Sequence, residues 1–175
     1  APEFPGTFVK QRFGGTGLSG LCLTDAEGAF PSPYNNLMLV ANPITSRINA
    51  VEMRRDQPSP DHYLTDWQFD RLADFVTCDD PWFRPVAMTL GPDGCVYIVD
   101  WYNKIISHNE VPRAHPDRDK VRGRIWRIKH NQQQCFAVPD FTKLTDAQLL
   151  EKLQSPSLAQ TTIASQTMAD RKIKR

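Results

Sequence analysis

"LGPDGCVYIVDWYNKIISHNEV", residues 90–111, starts as a β-hairpin and then departs from one. Gly91-Pro92-Asp93-Gly94 is a turn signal, because proline presets φ early in the turn and glycine accepts a positive φ late in it. The apolar run 86–90 leads into this turn and Cys95 to Val99 leads out, which predicts an antiparallel pair. In such a pair the start of the first strand and the end of the second share one edge. Arg84 is therefore expected beside Asp100, with Trp101, Tyr102 and Asn103 leaving from the same corner. A third strand is expected near Ile105-Ile106 and a fourth over Gly123 to Ile128.

An earlier stretch follows the same plan. "LMLVAN" (37–42) matches "CVYIVD" (95–100) in its apolar run and polar end, and "SRINAV" (46–51) takes the place of "KIISHN" (104–109), both at an offset of 58 residues. Gly20 to Thr24 plays the part of the 86–90 strand, and "DRLADFVTCDD" (70–80) supplies an outer strand. Asn42 then occupies the corner that Asp100 occupies later. Units of roughly 40–60 residues with four short strands are the pattern of propeller blades, each sheet burying its faces against the next. A single β-sandwich with two similar hairpins is the competing architecture.

Beyond Pro139 the chain is free of glycine and reads as helix. Thr145 with Gln148 makes a capping box, and Leu144 with Leu149 a hydrophobic staple around it. Leu149, Leu150 and Leu153 form one apolar stripe. Ser155-Pro156-Ser157 ends this helix and caps a second from Leu158 to about Met168, a helix-turn-helix unit of the solenoid type.

Composition narrows the classes of function. Twenty-one basic residues against 20 acidic sum to a net charge of +1, which gives no reason to expect nucleic acid or an anionic membrane as partner. No apolar run approaches the roughly 20 residues of a membrane helix, and "APEFPGTFVKQRF" lacks the apolar stretch of a secretory signal. Cys22, Cys78, Cys95 and Cys135 form neither C-x-x-C nor C-x-x-C-H, which removes a zinc ribbon and a c-type haem attachment from this segment. They suit small buried hydrophobes or one or two disulfides, and spacing does not choose between these.

Arg84, Asp100, Asn103 and Asn42, with Trp101 and Tyr102 as aromatic walls, form a rim able to orient a polyhydroxylated or carboxylated ligand, or a cofactor. The same residues suit a structural role: an Arg84–Asp100 ion pair tying strand ends, aromatics packed between sheets, and an Asx-turn at Asn103. His108 is a candidate general base or metal ligand, since imidazole titrates near neutral pH, although a lone loop histidine is more often neither. Asp100, Asp117 and Asp119 are weak candidates for a hard cation, although Asp117-x-Asp119 is only a fragment of a calcium loop.

"DPWFRPVAMTLGPDGCVYIVDWYNKIISHNEVPRAHPDRDKVRGRIWRIKH" (80–130) resembles the final blade of the large dehydrogenase-like propellers of planctomycetes and verrucomicrobia, relatives of soluble quinoprotein glucose and sorbosone dehydrogenases. "EFPGTF" to "VANPITSRINAV" is similar to the blade before it, and the tail is similar to the HEAT-like repeats that often follow. The resemblance implies a mainly β fold, with a partial β-propeller of about two four-stranded blades over 1–139 and a short helical, HEAT-like segment over 140–175. It also implies an extracytoplasmic parent that oxidises a sugar-like alcohol with pyrroloquinoline quinone and calcium. The catalytic histidine of such enzymes lies in earlier blades, so this segment is expected to be inactive alone, and to self-associate through faces that absent blades would cover or to remain only marginally folded. The alternative is a non-catalytic propeller scaffold whose rim binds carbohydrate or a protein partner.

Overall fold

The computed structural model describes residues 13–14, 17–25, 29–55, 67–107 and 110–173. Strands β1 (Ser19–Leu23), β2 (Leu37–Asn42), β3 (Arg47–Arg55), β4 (Trp67–Arg71) and β5 (Val76–Thr77) form one antiparallel sheet in chain order. The long β3 pairs with β2 on one side, and on the other with β5 near its start and β4 near its end. Strands β6 (Pro85–Leu90), β7 (Val96–Asp100) and β8 (Arg124–Ile128) form a second antiparallel sheet, also in chain order.

Alternation along the strands decides how the sheets meet. Leu39 lies opposite Ala50, and Ala41 opposite Ile48, so these four share one face of the first sheet. They join Val96 and Ile98 of β7, Phe83, Cys22 and Phe30 in one buried cluster. The two sheets thus close over a common core, and each fully buried Leu, Ile or Val contributes about 1.5–3 kcal/mol relative to exposure. Strands β1 and β6 run side by side, where Ser19 Oγ donates to the Val86 carbonyl at 2.8 Å. Gly20 sits at a bulge with φ +67°, and a Cβ there would stand 2.8 Å from the Ala87 Cα. That close approach requires glycine.

A 3-10 turn (Phe141–Lys143) and helices α1 (Asp146–Lys152) and α2 (Leu158–Asp170) form the tail. Thr145 Oγ1 accepts from the Gln148 N–H while Gln148 reaches back to the Thr145 N–H, the expected capping box, and Ser157 caps α2. Phe141, Leu149, Ala164 and Met168 form the tail's own small core, with Leu144 and Leu153 at its edge. Leu150 departs from the expected stripe and is 44% exposed, because one residue of helix rotates it about 100° away from Leu149. The tail docks through buried Gln160, whose Nε2 donates to the carbonyls of Pro92 (2.8 Å) and Ala137 (2.9 Å). The Leu158 N–H donates to Asp25 Oδ1 at 3.2 Å.

Three expectations about strands are corrected. Ile105-Ile106 is not a strand: the chain turns at Tyr102, with φ 55°, and Asn103 Oδ1 accepts from the Ile105 N–H, which carries the backbone out of the sheet. The place beside β7 is filled by β8, so the second sheet has three strands, and β8, not "KIISHN", corresponds to β3. The outer strand of the first sheet begins earlier than residue 70 and is split into β4 and β5.

Candidate functional site

The corner where β7 ends is organised by one carboxylate. Asp100 is 1% exposed, because its side chain lies on the same face of β7 as Val96 and Ile98. Its Oδ1 accepts from the backbone N–H groups of Arg84 (2.8 Å) and Tyr102 (2.9 Å). Its Oδ2 accepts from Arg124 Nε (2.7 Å) and Trp126 Nε1 (2.9 Å). Burial alone would push this carboxyl up, but the four donors outweigh it and hold Asp100 below the usual carboxylate range.

Arg124 extends the network outward. It pairs with Asp80 Oδ2 at 2.7 Å, and its guanidinium lies 4.3 Å from the Tyr102 ring centre and 5.1 Å from that of Trp126. Trp82 stacks on Tyr102 at 5.2 Å. The Trp82 N–H, and then Arg124, hold Asp80 below its ordinary value. For Arg124 the cost of burial is outweighed by Asp80 and Asp100, so its pKa is raised.

The Arg84–Asp100 ion pair weighed above as the structural alternative does not form. The two residues do share the sheet's edge, since Pro85 pairs with Asp100, yet only the backbone N–H of Arg84 meets the carboxylate. The Arg84 guanidinium turns to Ser46 Oγ in the β2–β3 turn and to the carbonyls of Phe83 (2.8 Å) and Lys104 (3.0 Å). It therefore ties the first sheet to the loop after β7. Burial lowers its pKa, opposed by Asp100 and Asp80. Arg84 Nε and one terminal nitrogen of Arg124 are buried with no hydrogen-bond partner among the described residues.

Asn42 holds the equivalent place at the end of β2. Its Nδ2 donates to the carbonyls of Phe13 (3.0 Å) and Gly14 (2.8 Å), and it is fully buried. Arg47 stands opposite Asn42 as Arg124 stands opposite Asp100, but here Arg47 and Asn49 bind Asp74, at 2.6 and 2.7 Å. Both sheets thus end in an arginine–carboxylate network built from different strands.

Of the remaining rim residues, Asn103 is buried; its Oδ1 accepts from the Ile105 N–H at 3.3 Å, the Asx-type role weighed above, and its Nδ2 donates to the Asp119 carbonyl at 2.9 Å. Trp101 is 45% exposed. His108 lies outside the described residues. The cation candidates do not converge: Asp117 pairs with Lys104 at 3.0 Å, and Asp119 accepts from the N–H groups of Val121 and Arg122. Among the described residues no group of three His, Cys, Asp or Glu side chains is placed to hold a metal ion.

Beside the corner an open recess of about 560 Å³ lies between Trp82 and the loop 113–122, rimmed by Arg113, His115, Lys120 and Arg122. Trp82 and the basic side chains of Arg113, Lys120 and Arg122, with Asp119 also in the lining, suit a polyhydroxylated or anionic ligand. Arg124, Trp126, Asp80 and Trp82 were missed from the sequence. For Arg124 and Trp126 the signal was "GRIWRI" (123–128): paired directly with β7, it sets Arg124 opposite Asp100; Asp80 and Trp82 stood in "DDPW" (79–82), which reads as the exit from a blade.

No curated protein and no solved structure matches this chain. The model of the family described as Domain of unknown function (DUF7133) matches residues 7–132. Both sheets and their joined corner fall inside that span, and the chain belongs to the DUF7133 family.

Proposed function

We propose that the chain forms two neighbouring blades of a β-propeller of the quinoprotein glucose/sorbosone dehydrogenase type, followed by a HEAT-like segment. One observation carries this reading: two meandering sheets share a face-to-face core, with their first strands, β1 and β6, side by side. On this reading the parent is extracytoplasmic and oxidises a sugar-like alcohol, and these blades supply wall and rim. The described carboxylates do not fit a calcium and quinone site, because Asp100, Asp117 and Asp119 already serve internal donors. The quinone and the reacting groups then belong to other blades, and no chemical step is assigned to this chain.

The recess beside Trp82 favours a second reading, a rim that binds an acidic carbohydrate or an acidic protein segment. One pair of measurements separates the two. The protein containing this chain is supplied with pyrroloquinoline quinone and calcium, and dye reduction is followed across sugars and alcohols. Turnover supports the dehydrogenase. No turnover, with saturable binding of an acidic oligosaccharide that Arg122→Ala and Lys120→Ala weaken, supports the binding rim.

A further inference from the structure

We propose that Cys95 and Cys135 form a redox-modification site, a dithiol that closes to an intramolecular disulfide by exchange with an external disulfide and clamps the helical tail to the second sheet. Their sulfurs lie 3.5 Å apart. Cys95 is buried at the entry to β7, and Cys135 is exposed in the segment after β8. The backbone around both is already tied. Gln133 Nε2 donates to the Gly94 carbonyl at 2.9 Å, the Phe136 N–H to the Asp93 carbonyl at 3.0 Å, and the Cys95 N–H to Asp93 Oδ1 at 3.1 Å. Arg127 donates to Cys135 Sγ at 3.6 Å from the other side. Closure therefore asks for a side-chain movement of about 1.5 Å, toward the roughly 2.05 Å of a sulfur–sulfur bond.

The accessible sulfur reacts first. The Cys135 thiolate attacks an external disulfide, forming a mixed disulfide and expelling one thiolate. Cys95 then loses its proton to solvent and attacks the Cys135 sulfur; the bond to the external group breaks and a second thiolate leaves. The two departing thiolates take up the two protons lost by the cysteines. The protein is oxidised by two electrons, and the external disulfide is reduced to two thiols. Burial, and then the neighbouring Cys135, hold the Cys95 thiol up at about 12, so ring closure is the slower step.

The bond would act on the tail because Gln160 grips both sides of it. The carbonyls it binds belong to Pro92, in the turn before Cys95, and Ala137, just after Cys135. Locking those two backbones together keeps both acceptors in place for α2.

The test incubates the chain with oxidised glutathione and maps its cysteines by alkylation and peptide mass. The expected product is a Cys95–Cys135 peptide two hydrogens lighter than the dithiol, forming about tenfold faster per pH unit between about pH 7 and 9. Its Tm should exceed that of the reduced chain by about 5–10 °C, with slower amide exchange in α2. Cys135→Ser, which alters an exposed side chain, should remain folded and lose the increment. A lasting glutathione adduct at Cys135, free thiols at both positions, or an equal Tm increment in Cys135→Ser would each overturn the proposal.

Discussion

Asp100 is the residue on which the second sheet's corner depends, and its environment makes its contribution depend on pH. Its folded pKa lies below the unfolded value, so its stabilisation is present above about pH 4 and is lost as pH falls through the folded value. Asp100→Asn keeps the size but removes the charge, and it points a new amide donor at groups that are themselves donors. The expected cost is about 3–5 kcal/mol, read from urea unfolding at pH 7. The variant should also lose stability less steeply than the parent between about pH 4 and pH 2. A loss below about 1 kcal/mol would remove the carboxylate from its architectural role. Arg84 shows the reverse lesson: a charge set beside Asp100 by strand pairing was spent elsewhere, because a long side chain reaches past its nearest neighbour to Ser46 and the Lys104 carbonyl.

At the scale of elements, two contacts carry the joints between units. Gln160→Leu keeps the volume on α2 but leaves the Pro92 and Ala137 carbonyls without their donor. A destabilisation of about 1–3 kcal/mol is expected. Amide exchange should accelerate in α2 and in the 133–137 segment, while β7 stays protected. Equal acceleration across β2 and β7 would show that the tail is not a separable joint. Gly20→Ala tests the contact between β1 and β6, since the new methyl meets the Ala87 backbone in a left-handed conformation. About 1–3 kcal/mol is expected to be lost, with the m-value unchanged.

For the whole molecule, the two faces of the second sheet differ. One lies in the shared core; the other carries Val99 at 44% exposure and Ile125 at 74%, directly opposite each other on β7 and β8. On the propeller reading an adjoining blade covers this face, and in its absence a second copy of the chain is the available apolar surface. Sedimentation velocity at increasing concentration should show reversible self-association, weakened several-fold by Ile125→Lys. A monomer at every concentration would count against a face built for burial.

Local chemistry determined by itself what depends on neighbours in the chain. Gly91-Pro92-Asp93-Gly94 sets the β6–β7 turn, Thr145 with Gln148 starts α1, and the short apolar runs in 37–42 and 96–100 mark the strands that enter the core, since turn dihedrals, capping bonds and a local apolar run are properties of a few consecutive residues. What the tertiary structure decided were partnerships across long separations. Arg124 rather than Arg84 pairs with Asp100, β8 rather than Ile105-Ile106 lies beside β7, and Cys135 comes to rest on Cys95. Each depends on how the segment between the partners is routed. Once Tyr102 and Asn103 turn the chain out of the sheet, the slot beside β7 stays open for β8, which brings its arginine and tryptophan to the waiting carboxylate.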